Sequence, residues 1–305
     1  MPRSIYIQLH LLIALFATTA IIGRLASFSA PGLVIWRTSL AALGAAVLVV
    51  AMRPQGDRFP GVGRVLRLVG IGCLVGLHWM CFFGAIKLAN ISICLAGMAT
   101  TTFFTAFSEP LLDRRMVRPV EVVLGLLVLS GLLLVAGFEH GFLAGLGVAL
   151  LGAMLAAIFP VLNRHLVNQG RMDPLVMVVW EMVGACLICL VTLPWLDGAG
   201  AYGRLLEFRG LDWLWVLLLA WLCTVFAHAF HIRLLRYMSA YTGSMAGNLE
   251  PVYGIIAAAV LFQEHRQLHP GFFIGTATIL LANIAHPLTL SRLTPPEKRI
   301  SPPCG

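Results

Sequence analysis

From end to end the chain alternates between apolar stretches and short polar connections. The apolar runs cover residues 7–23, 33–52, 66–86, 91–112, 120–137, 141–162, 174–194, 213–235, 240–262 and 269–289. Each lies near the ~20 residues that a helix needs to cross a bilayer. The connections are too short to hold a soluble domain. The pattern therefore predicts an all-α polytopic membrane protein with ten transmembrane helices.

The ninth run departs most from a plain apolar span. It reads SAYTGSMAGNLEPVYGIIAAAVLFQE and carries Asn248, Glu250 and Pro251 near its middle. A carboxylate in hydrocarbon costs about 2.5–3.5 kcal/mol even on the lenient insertion scale, so Glu250 should face protein or a water-filled cavity. Pro251 removes a backbone donor and crowds the preceding turn, which should bend the helix there. Backbone freed in this way is tolerated at membrane depth only inside protein or along a cavity. The expectation is a cavity at mid-membrane with this helix on its wall and Glu250 as its binding or coupling group. The opposing reading makes Glu250 a structural carboxylate bonded to a neighbouring helix.

Composition agrees. The chain is 59% hydrophobic and 11% charged, too few charges to cover the core of a soluble protein of 305 residues. The formal charge of +8 would suggest nucleic acid in a soluble protein. Here the basic residues sit in loops, with no basic stripe and interleaved aromatics, so no nucleic-acid partner is expected. If the N-terminus is cytoplasmic, fifteen of the 21 Lys and Arg fall on that side and five on the other, with Arg37 inside a span. The bias places both termini in the cytoplasm, and because an odd number of helices would scramble the alternation it also supports the count of ten. The N-terminal run imitates a signal peptide, but its removal would leave one half of the chain a helix short. The Pro-bearing stretch 291–305 reads as a disordered cytoplasmic tail.

The two halves resemble each other. Leu33 to Arg37 in the second run matches Met177 to Glu181 in the seventh, and Lys87, ending the third, matches Arg236, ending the eighth. Gly125 and Gly131 match Gly275 and its small neighbours. Five helices per half is an odd number, so the halves, residues 1–138 and 139–290, should lie upside down relative to each other. Inverted repeats of this kind place a site at their interface.

The run Ser239–Ala240 through Asn248–Leu249–Glu250–Pro251, then Phe262–Gln263–Glu264, Gly271 and Gly275, resembles the EamA-type members of the drug/metabolite transporter superfamily. The resemblance implies movement of a small metabolite by alternating access, with amino acids, nucleotide sugars, phosphorylated sugars and drugs all handled within the superfamily. It also implies export coupled to protons or exchange in the cell (inner) membrane, with no cofactor. One departure stands out. The position matching Glu264 in the first half is Arg115, and Glu109–Pro110 falls out of register with Glu250–Pro251, so it is expected to close the cytoplasmic end of the fourth span.

Other residues join the candidate site. Arg37 and Glu181 hold matching places, read either as a buried ion pair formed in one access state or as two side chains reaching the interface separately. His78 and His228 suit a cavity wall, a proton relay or a hydrogen bond to a neighbouring helix. His228 and His231 form H-x-x-H without an acidic or thiolate partner, so no metal is expected. Tyr253 with Asn248 and Trp79 are cavity candidates, while Thr100, Thr105 and Ser244 read as packing. Pro160 in the sixth span is a candidate hinge beside Pro251. Cys186 and Cys189 form a C-x-x-C on an apolar helix and read as core. The glycines of the fifth and tenth spans suggest a homodimer seam. Two other classes stay open: a sensor that keeps the transporter fold, and an intramembrane enzyme. For the latter no H-E-x-x-H, G-x-S-x-G or paired aspartates on facing spans is present, and the chain is expected not to be an enzyme.

Overall fold

The computed structural model describes residues 3–52, 60–168, 172–247 and 249–293. Among them the chain is helical, with no strand. Helices stand at all ten predicted places. The first three spans are continuous: α1 (Arg3–Leu25), α2 (Ala30–Met52) and α3 (Val62–Leu88). The fourth is divided into α4 (Ile91–Met98) and α5 (Thr101–Asp113), and α6 (Pro119–Phe138) is the fifth. The sixth is divided into α7 (Leu143–Ala156) and α8 (Phe159–Asn168), and α9 (Pro174–Asp197) is the seventh. After the short α10 (Ala201–Arg204), the eighth comprises α11 (Asp212–Ala220), a π-helical turn over Trp221–Phe226, and α12 (Ala227–Leu234). The ninth is divided into α13 (Ala240–Gly247) and α14 (Glu250–Phe262), and α15 (Pro270–Leu293) is the tenth.

Seven of these segments are long and apolar enough to cross a membrane, and the shorter apolar helices Val122–Phe138, Glu250–Phe262 and Pro270–Ala282 fall at the fifth, ninth and tenth predicted spans. The tail beyond residue 293, Arg53, Arg58, Arg171 and Asn248 lie outside the described residues.

Close backbone approach organises the packing. A side chain at Gly72 would strike the Glu181 backbone, and one at Gly184 would strike Val69, so α3 and α9 meet nearly backbone to backbone. In α6 and α15 the relation is reciprocal: a Cβ on Gly131 would come 2.7 Å from the Gly275 carbonyl, and one on Gly275 2.6 Å from that of Gly131. Without a hydrophobic drive between helices in lipid, such close packing holds them together. The glycines expected to form a dimer seam thus pack within one chain.

Two buried carboxylates tie the fourth and ninth spans together. Glu264, just past the end of α14, accepts hydrogen bonds from the backbone N–H of Ile91 (3.1 Å) and Ser92 (2.9 Å) and from the Ser92 hydroxyl (2.7 Å). Glu109, near the end of α5, accepts from the backbone N–H of Ala240 (3.2 Å) and Tyr241 (2.9 Å). Each Glu therefore satisfies orphan donors at the first turn of the other span, where negative charge is also favoured by the helix dipole. The end of each span meets the start of the other, so the two run head to tail. Left-handed residues end both, Arg114 (φ 54°) after α5 and Gln263 (φ 55°) after α14. Arg115 and Glu264 each directly follow these two residues. The carboxylate that does the matching work is nevertheless Glu109, and Arg115 pairs with it instead (3.7 Å).

Candidate functional site

Four spans lose regular α-helical form, and all four do so beside one cavity of about 170 Å³. Met98, Ala99 and Thr101 line it at the break in the fourth span, and Ala156, Phe159 and Pro160 at the break in the sixth. Cys223 lines it from the π turn of the eighth, and Gly247, Glu250 and Pro251 at the break in the ninth. Pro251 sits in the first turn of α14, where its missing N–H would have had no partner in any case. The sequence predicted a bend there; the chain instead ends one helix and starts another. Pro160 does the same at the start of α8.

Glu250 is on the cavity wall, and among the described residues no hydrogen bond or ion pair to it is present. Pro251, Pro160, His78, Trp79, His228 and Arg37 share that wall. Both histidines also bond to a neighbouring helix. His78 Nδ1 donates to the Gly152 carbonyl (2.9 Å), and His228 Nε2 lies 2.7 Å from Glu181. Glu181, fully buried, stands behind His228 and also accepts from Asn163 Nδ2 (3.2 Å). Arg37 and Glu181 are therefore not partners. Arg37 donates from Nε to the Thr224 hydroxyl (2.6 Å) and from Nη2 to the Cys223 carbonyl (3.1 Å), and its guanidinium lies over Trp79 at 3.8 Å. It is 2% exposed, so it does not reach for the interface.

Tyr253 is not on the cavity wall; it is 40% exposed on the outer face of α14, a short turn of the helix away from Glu250. Thr105 and Ser244 bond to each other across the fourth and ninth spans (3.1 Å), and Ser244 also touches the cavity. Phe16, Thr19 and His231 line the cavity without having been singled out for it. Cys189 is buried against Gly76, and among the described residues no cluster of three His, Cys, Asp or Glu could hold a metal ion.

Helices in this number and this apolar, enclosing a polar-edged cavity, define a multi-pass integral membrane protein. Residues 143–284 match the model of the EamA-like transporter family, so the second half of the chain is similar to EamA-like transporters. Solute carrier family 35 member E4 of Rattus norvegicus is 30% identical over 202 residues, which is 65% of this chain and 56% of that protein. The chain thus spans little more than half the length of that relative. A protein of known crystal structure, 16% identical, superposes with a TM-score of 0.67 over 95% of this chain and 99% of its own, which establishes the fold. The resemblance to EamA-type drug/metabolite transporters is borne out.

Proposed function

We propose that the protein is a secondary transporter, not an enzyme, that exports a small polar organic solute from the cell by alternating access. The observation that carries this reading is the convergence of four interrupted spans on one cavity that holds Glu250. Discontinuous helices around a mid-membrane site are how transporters expose polar backbone to a solute. The reciprocal placing of Glu109 and Glu264 supports two five-helix repeats of opposite orientation, residues 1–138 and 139–290. The excess of Lys and Arg in alternate loops supports both termini in the cytoplasm.

Glu250 couples the cycle to protons. A carboxylate that lines the cavity with no partner among the described residues can be ionised while water reaches it and protonated when the cavity closes. Reconstitution into vesicles with radiolabelled amino acids, with and without a pH gradient, tests this. The wild type should accumulate a solute inside the vesicles as protons leave them, and Glu250→Gln should abolish that gradient-driven part. Equal gradient-driven flux in both would remove the coupling role. A solute that binds without ever crossing would make the protein a sensor.

A further inference from the structure

Arg37 is buried in the wall of the cavity with its bonding incomplete. Two of its three nitrogens bond to the eighth span, and Nη1 has no partner. Among the described residues no carboxylate pairs with it. Glu181, the acid expected to do so, is held by His228 and Asn163. A buried cation without an opposite charge is costly, and inside a membrane such a residue commonly marks the counter-ion of a ligand.

The other titratable side chains on the cavity wall are His78, His228, His231, Cys223 and Glu250. The guanidinium is the fixed positive charge among them, and Glu250 offsets it only when ionised. The planar guanidinium, its carbon 3.8 Å from the centre of the Trp79 ring, has the fork geometry that matches carboxylate or phosphate oxygens. A volume of about 170 Å³ equals roughly six water molecules' share of liquid, enough for a small organic acid.

We infer that the cavity binds a small organic anion, with Arg37 as the counter-ion to its acidic group. The inference places that anion in the transport site proposed above, yet it is tested by binding alone. Thr224 and the Cys223 carbonyl position the guanidinium, and the anion takes the bonding capacity that the protein leaves open.

The test uses the full-length protein in lipid nanodiscs and calorimetric titration with acetate, acetamide, alanine, alaninamide and inorganic phosphate. The acids should bind at least about tenfold more tightly than their amides, the size expected of a charge-assisted hydrogen bond. Arg37→Gln should erase this preference. Arg37→Lys keeps the charge but not the fork and should reduce it several-fold, which provides the reading if the Gln variant does not fold. Phosphate binding more tightly than either acid assigns the site to phosphate esters and supports the inference. Amides that bind as well as acids, a preference unchanged in both folded variants, or no binding by any anion would overturn it. Acid-selective binding without vesicle flux would leave the inference standing and remove the transport reading; flux without acid selectivity would do the reverse.

Discussion

Glu264 shows how much one buried side chain can hold. Its carboxylate takes three donors at the start of α4, two of them backbone N–H groups with no partner inside that helix. Replacing it with Ala should cost about 1–3 kcal/mol by leaving buried donors unsatisfied, seen as a lower melting temperature in detergent. Ser92→Ala removes only one of the three bonds and should cost less. Glu109→Ala should be worse than either, because Arg164 also bonds to Glu109 (3.1 Å) and would lose that partner. Equal melting temperatures for Glu264→Ala and the wild type would show that the first turn of α4 is solvated instead.

The spans themselves were legible in the sequence because membrane helices are read from length and apolarity alone. Which face of each helix meets which neighbour was not. A helix that is apolar all round is buried on every side, in protein or in lipid, and carries no stripe to orient it. The sequence leaves Arg37 and Glu181 open between a buried pair and two side chains reaching the interface; both are buried, and their partners, Thr224 and His228, depend on rotations that the pattern does not contain. Pro251 marked the ninth break, and Pro160 the sixth. The break between α4 and α5 and the π turn in the eighth span have no proline, and nothing in their spacing announced them. Glycine contacts give the element scale its predictions. Gly131→Val would drive a side chain into the Gly275 carbonyl and should cost about 1–3 kcal/mol or more through overpacking. Gly147→Val, which meets nothing within 4 Å, is the matched control and should melt with the wild type. Pro251→Ala should leave the protein folded, since Ala is accepted in a first helical turn, but slow flux if the break serves as a hinge.

At the scale of the whole molecule, the two ends of the fourth and ninth spans are fastened differently. At one end Glu264 binds backbone and a hydroxyl of α4. At the other, Glu109 binds the start of α13 while Arg164 of α8 reaches both Glu109 and Asp113 (3.3 Å), and His165 bonds to Asp113. The second fastening joins three spans through buried Glu109 and through partly exposed Arg164, Asp113 and His165. Water reaches the pairs to Asp113, which are worth little each, so these links should part more readily than the backbone bonds of Glu264. A carrier that works by alternating access has to open each end in turn, and fixing either end should stop it. Cysteines at Asp113 and His165, joined by a short bifunctional reagent, would fix the Glu109 end. Cysteines at Ser92 and Glu264 would fix the other, provided that the doubly substituted protein still folds. Each link should block vesicle flux, and reduction of a cleavable linker should restore it. Flux that persists with the Asp113–His165 pair joined would mean that the spans do not separate there during the cycle. The solute would then have to pass by a route other than opening between the fourth, sixth and ninth spans.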